Sequence, residues 1–390
     1  MTRNFAAITD RLHNTGGAKW AVHQRCRQMQ MAGADIIELT IGEPDLPPDP
    51  ALIDVAEQAM RAGRVGYSSG QGEPDLIEAL VERYRQRRDD VVGDNVLCFP
   101  GTQTALFATM LGLTDPGDGV LVGDPFYATY EGVIRSSGAH TVGVPLRAQH
   151  GFRLQAEDLE AAITPACKAL LLNSPQNPSG AVLDRAAVDA IGEICRKHDL
   201  WLVCDEVYEE LVFDGPFASP FDNPAFADRT IALSSISKSF AAPGFRSGWA
   251  VGPSDFCERV LPLSEAMLFG NQPFIADMTA YALRNPSDTA RQMRADYKRR
   301  AGIFADRLSA IEGIKPYPPE AGMFILADVS RTGLDGKAFA WSLLEAGVAV
   351  MPGSSFGDNA ADLIRLSLTV PDQAVEAACA RIERFAEVLP

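Results

Sequence analysis

The chain has no Gly-x-x-x-x-Gly-Lys loop, no His-x-x-x-His pair and no Cys-x-x-Cys pair. P-loop nucleotide chemistry and the commoner zinc sites are set aside on those grounds. Its five histidines (His13, His23, His140, His150, His198) stand apart and read as surface or loop residues, so neither a metal site nor a serine triad is expected. The one Gly-x-Ser-x-Gly match, Gly66-Tyr-Ser68-Ser-Gly70, lacks the apolar strand before it and the helix after it that a nucleophile elbow needs. Seven cysteines are scattered singly, an odd number without pairs, which points to a reducing, cytoplasmic setting. Positive charge is scarce as well. The net charge of −16 argues against a nucleic-acid groove or an anionic membrane surface as partner and otherwise serves solubility. Residues 95–114 carry no charge, but Pro100, Gly101, Gln103 and four threonines make a poor membrane span. The first residues, Met-Thr-Arg-Asn-Phe, lack a basic region followed by an apolar core, so no secretory leader is expected.

What is present is ordinary globular composition, 46% hydrophobic and 22% charged, over 390 residues. Short apolar runs alternate with longer helical patterns, the signature of a mostly parallel sheet wrapped by helices. Strands are expected at Val96–Phe99, Gly119–Val122, Ala169–Leu172, Leu200–Cys204, Thr230–Ser234 and Gly248–Val251. Helices are expected at Thr104–Leu113, Ala156–Ile163 and Ala186–His198. An Arg-rich helix, Thr289 to Glu312, then leads into strand-like pieces at Met323–Val329, Val348–Met351 and Ile364–Leu368. The expected architecture is α/β: a large domain over residues 45–285, and a smaller α+β domain over 286–390. The first 44 residues, with a strand at Ile36–Leu39, form an arm that joins the smaller domain or crosses a partner subunit.

Open α/β sheets place ligands at the carboxyl ends of their strands, and five clusters lie there. Gly101-Thr102-Gln103 closes a strand and opens a helix; its backbone N–H groups suit a phosphate, or Thr102 is an ordinary helix cap. Asp124-Pro-Phe-Tyr127-Ala-Thr-Tyr130 offers rings that stack on a heteroaromatic or pack in the core. Asn173-Ser-Pro-Gln-Asn177-Pro-Ser-Gly180 is a rigid turn able to aim an amide. Asp205-Glu-Val-Tyr208 ends a buried strand, where a carboxylate is costly unless it meets a cation or caps a helix. Lys238, one of only seven lysines, follows Ser235 by three positions and precedes Arg246 by eight. Small hydroxyl residues surround it, as suits an amine that condenses with a phosphorylated aldehyde.

The order of these clusters resembles the fold-type I aminotransferases that use pyridoxal 5′-phosphate, and the resemblance runs from about Gly42 to Arg365. It implies that Lys238 is the Schiff-base lysine and catalytic base, and that Asp205 keeps the ring nitrogen protonated. Asn177 and Tyr208 would hydrogen-bond the phenolic oxygen, and Tyr127 would stack on the ring. Gly101, Thr102, Gln103, Ser235 and Arg246 would hold the phosphate. Tyr67 resembles the tyrosine that reaches the phosphate of a neighbouring subunit, which implies a homodimer with shared sites. Arg365, which by itself reads as a surface arginine on a strand edge, matches the clamp for the substrate α-carboxylate, with Gly42 beside it. No metal is implied.

The implied activity is two-stage transfer of an amino group from an L-amino acid to a 2-oxo acid. A carbon–sulfur β-lyase with the same cofactor is the nearest rival, and a non-catalytic regulator is the rival from another class. Aspartate-preferring relatives place a lysine beside the phosphate-binding glycine, or a partner arginine, to meet the side-chain carboxylate. Here Thr102-Gln103 and the stretch Met267 to Phe274 carry no cation, which favours a neutral or basic donor over aspartate. Gly151 to Glu157, Asn173 to Gly180, His198 to Trp201, Asp205 to Tyr208 and Leu211 to Gly215 look like those of arginine–pyruvate aminotransferases.

Overall fold

Alternation within the apolar runs decides the architecture, because each buried strand sends successive side chains to opposite faces of a sheet. A computed structural model describes residues 5–13, 17–268 and 270–389. The short strand β1 (Ile37–Glu38) comes first. The large sheet is then built from β2 (Val96–Phe99), β3 (Gly119–Asp124), β4 (His140–Pro145), β5 (Cys167–Asn173), β6 (Trp201–Asp205), β7 (Thr230–Ser235) and β8 (Gly248–Val251). Its order is β2-β8-β7-β6-β5-β3-β4, with β8 antiparallel to both neighbours and the remaining pairs parallel. In β5, Leu171 faces a core shared with the helix Thr102–Leu113, whereas Leu170 and Leu172 face a core shared with the helix Arg185–Lys197.

The expected strands are present within one or two residues, and β4 is an addition. Its sequence, His-Thr-Val-Gly-Val-Pro, lies at the sheet edge and is partly exposed, and its alternation rests on Val142 and Val144 alone, interrupted by Gly143 and Pro145. The helix after β2 starts two residues earlier than expected, at Thr102. The Arg-rich helix ends at Ser309 rather than Glu312, since the chain turns off towards Gly313 at φ 84°.

The second sheet runs β12 (Met351–Pro352), β13 (Leu363–Ser367), β10 (Phe324–Asp328), β9 (Lys315–Tyr317), all antiparallel, and β11 (Val348–Ala349) pairs in parallel with β1. Val348 and Met351, expected in one strand, fall in two. The helices Thr289–Ser309, Gly336–Glu345 and Asp372–Ala386 cover this sheet, and Val22, Cys26, Ile36 and Leu39 enter the same core. Among the described residues, no helix is long and apolar enough to cross a membrane, and no His, Cys, Asp and Glu group is placed to hold a metal.

The register lines up the functional ends. Asn173 of β5 lies opposite Asp205 of β6, and Gly248 lies opposite both Ser235 of β7 and Phe99 of β2. Parallel neighbours therefore deliver Asn173, Asp205 and Ser235 to one edge of the sheet, and β13 brings Arg365 to it from the other sheet.

Candidate active site

Between the two sheets lies a cavity of about 290 Å³. Its wall contains Gly42, Thr102, Gln103, Tyr127, Asn177, Asp205, Tyr208, Ser235, Lys238, Arg246 and Arg365, so most of the expected site residues converge. Gly101 sits just behind them, and Tyr67 does not line this cavity: it is 94% exposed.

One end of the cavity is built for an anion. Gly101, at φ 84°, takes the N-cap position of the helix Thr102–Leu113, so Thr102 is not the cap that its sequence also allowed. Its hydroxyl is instead buried with no hydrogen-bond partner. A Cβ at Gly101 would lie 2.3 Å from an Arg246 Nη, and one at Gly248 would lie 2.7 Å from the Gly101–Thr102 peptide. Only glycine lets this turn, the arginine and β8 approach so closely. Ser235, buried at the end of β7, accepts from the Ser237 amide at 3.3 Å, and Ser237 itself lines the wall. Arg246, left-handed at φ 53°, donates to the Pro243 carbonyl at 2.8 Å and is exposed at the rim. Gln103 is exposed, and its side-chain oxygen accepts from the Thr129 hydroxyl at 3.1 Å.

The middle of the cavity holds a buried carboxylate and a half-buried amine. Asp205 is 4% exposed; Tyr130 donates to its Oδ2 at 2.5 Å, and the Val207 amide reaches Oδ1 at only 3.5 Å. That long contact makes the helix-cap role weak. Burial pushes the Asp205 carboxyl up to about 6, against the hydrogen bond from Tyr130. The Lys238 amine donates to the Gly42 carbonyl at 2.6 Å, and burial pushes it down to about 8 although Glu43 pulls the other way. A Cβ at Gly42 would strike the Phe324 ring at 2.2 Å, so this carbonyl can stand here only on a glycine. Tyr127 meets Tyr130 edge to face, centroids 5.5 Å apart, and is half-buried along the wall rather than lost in the core. Burial raises the phenols of both Tyr127 and Tyr208.

At the far end Arg365 is 2% exposed, on the inner strand β13 between β12 and β10, not at a strand edge. Its guanidinium lies 3.8 Å from the centroid of the Phe324 ring and 4.4 Å from that of Phe356. One Nη donates to the Thr40 carbonyl at 2.6 Å, the other to Asn177 Oδ1 at 3.2 Å, and the buried Nε has no partner. Asn177 also donates to the Tyr208 hydroxyl at 3.4 Å. Burial pushes Arg365 down to about 9, which leaves it charged at neutral pH. Its described hydrogen-bond partners are neutral, so the site is made to receive an anion.

Tyr130, Ser237, Trp20, Thr40, Phe324 and Phe356 were not singled out by the sequence. Tyr130 alone had a signal there, since it shares the aromatic cluster with Tyr127.

The arrangement fits pyridoxal phosphate on this chain's own chemistry. An unpartnered buried hydroxyl, glycine-shaped turns and an arginine form an anion cradle at one end, and a buried carboxylate and an amine of lowered basicity stand beyond it.

The family described as aminotransferase class I and II matches residues 34–382. The arginine–pyruvate transaminase of Pseudomonas aeruginosa is 41% identical over 380 residues, covering 97% of each chain. The aspartate/prephenate aminotransferase of Thermus thermophilus is 32% identical and covers 95% of each. A single mutant of the aspartate aminotransferase of Thermus thermophilus superposes with a TM-score of 0.93 at 31% identity, over 98% of this chain and 100% of that one. With the cavity, the cradle and these relatives in agreement, the chain belongs to the class I and II aminotransferases, enzymes that transfer amino groups with pyridoxal 5′-phosphate.

Proposed function

We propose that this aminotransferase takes its amino group from a donor with a neutral or cationic side chain, arginine foremost, and passes it to pyruvate. The observation that carries the choice is the charge inventory of the wall. Its cations are Lys238, Arg246 and Arg365, each with a place in the chemistry below, and none is left within one protomer to pair a side-chain carboxylate. Gln103 stands where a lysine would have served. Residues 267, 268 and 270–274 carry no cation, and Phe269 lies outside the described residues. Trp20 adds a flat aromatic face to the wall, suited to a neutral or guanidinium-bearing side chain. The kinship with an arginine–pyruvate transaminase supports the same choice.

Bound pyridoxal phosphate supplies an electron sink that lets the Cα–H bond of an amino acid break by loss of a proton. In our assignment Thr102, Gln103, Ser235, Arg246 and the Gly101 turn hold its phosphate. Asp205 keeps its ring nitrogen charged, Asn177 and Tyr208 hold its phenolic oxygen, and Tyr127 stacks on its face. Arg365 takes the α-carboxylate of the substrate beside Gly42. Lys238 would hold the cofactor through its aldehyde. As a neutral amine its Nζ would take the Cα proton of the bound amino acid and hold it for return.

Tyr67 belongs to the same proposal as a phosphate ligand for a second subunit, which makes the enzyme a homodimer with shared sites. In its loop Gly70 lies close against Glu265, and Gly270 lies close against the Ser69 carbonyl. We divide the chain into an arm, 1–44, a cofactor-binding domain, 45–285, and a small domain, 286–390. The seven cysteines, all unpaired and buried, fit a cytoplasmic compartment.

A panel of amino donors, each with pyruvate and with 2-oxoglutarate, tests the choice. Arginine or a neutral amino acid with pyruvate is expected to give the highest kcat/KM, and cystathionine is expected to yield no pyruvate by elimination. Aspartate with 2-oxoglutarate as the best pair would overturn the charge-inventory reasoning.

A further inference from the structure

Asp205 is an anion in a poor place for one. It is 4% exposed, and the only short hydrogen bond that its carboxylate accepts among the described residues comes from Tyr130. Tyr130 is 1% exposed and sits at the first position of the helix Tyr130–Ser136, its amide bonded to the Tyr127 carbonyl at 3.0 Å. Its ring stands against that of Tyr127 with centroids 5.5 Å apart and an interplanar angle of 88°. One side chain therefore touches two of the proposed grips on the cofactor ring, the carboxylate and the stacking aromatic. Other charged or titratable groups acting on this place are Lys238, Arg365, Arg246 and Tyr208.

We propose that Tyr130 is a positioning residue, which holds the Asp205 carboxylate ionised and in one orientation through its phenol while its ring fixes the plane of Tyr127. The inference rests on the assignment of Asp205 to the ring nitrogen. A phenol that donates to a buried carboxylate stabilises its charged form, and burial keeps the phenol protonated, its own titration raised well above the ordinary value. Without that donor, only the Val207 amide and the Lys238 charge oppose burial, and Asp205 holds a proton more readily. A neutral Asp205 no longer favours a charged ring nitrogen, so the electron sink weakens although every group that touches the substrate stays in place.

The test is Tyr130→Phe, which keeps the ring and removes the donor, with Tyr130→His as the variant that restores one. In the cofactor-free protein, carbon NMR of labelled aspartates is expected to show the Asp205 titration rising by roughly one to two units in Tyr130→Phe, the size of one lost hydrogen bond to a charged group. In the loaded protein, kcat falls roughly tenfold or more while KM changes little, and Tyr130→His recovers part of both readouts. An Asp205 titration that does not move in a folded Tyr130→Phe protein overturns the proposal, as does a loss confined to KM. Failure of the functional assignment looks different: the unaltered protein would take up no pyridoxal phosphate.

Discussion

Asp205 and Arg365 face one cavity from two sheets, one an anion 4% exposed and the other a cation 2% exposed, yet each is bonded to neutral groups and not to the other. Burial pushes both towards neutrality, the carboxyl up to about 6 and the guanidinium down to about 9. Opposite charges buried so near would gain by pairing, and a sequence selected only for stability would bring them together or replace them with apolar residues. Keeping them apart leaves two charges bonded only to neutral groups among the described residues, which in the proposed assignment meet a cationic ring nitrogen at Asp205 and a substrate carboxylate at Arg365. On that assignment the mostly parallel sheet serves the cofactor, and the antiparallel sheet serves the substrate.

The largest effect should come from the group that stands between these ends. Lys238→Ala removes both the anchor and the base, and turnover is expected to fall about 10⁴-fold, the upper range for a positioned base. Steady-state rates with the best donor measure it. Wild-type-like turnover would leave the cavity with two charges and no proton carrier, and the division of labour would collapse.

Arg365→Lys sharpens the comparison from the substrate side. An ammonium cannot reproduce the bidentate fork between the Phe324 and Phe356 rings, so kcat/KM should drop about a hundredfold for donor and acceptor alike. Cofactor affinity, followed by absorbance, should hardly change. A variant that lost the cofactor instead would place Arg365 on the wrong side of the division.

The two sides were not equally legible in the sequence. Cofactor-side residues occupy short continuous segments just past apolar strands, where each position can be judged by its neighbours: Gly101-Thr102, Asp205 to Tyr208, and Ser235 to Arg246. Arg365 could be singled out only through family resemblance, because Leu-Ile-Arg-Leu-Ser has the pattern of any half-exposed strand. What buries it is β10 and β12 on its flanks and the rings of Phe324 and Phe356, contacts between residues distant in sequence. Tyr130 was hidden for a similar reason: its bond to Asp205 spans 75 positions and exists only because the helix after β3 folds over the end of β6. Trp20 reaches the wall from an arm with weak periodicity. The edge strand β4 escaped because its alternation rests on two valines and is interrupted by Gly143 and Pro145.

Proton affinity sets the smallest and most direct test. The Lys238 amine is lowered from 10.5 to about 8, so folding makes its neutral form more accessible than in a free lysine. Stability from this group is therefore complete above its unfolded value and is lost as pH falls through about 8, while its reactivity towards an aldehyde grows as pH rises through the same point. Cofactor-free protein can be mixed with pyridoxal phosphate across pH 6 to 10, reduced with borohydride and digested, and the labelled peptide then identified. The label is expected on Lys238 alone among the seven lysines, half-maximal near pH 8. Label on another lysine, or none on Lys238 at any pH, would contradict the assignment at its centre.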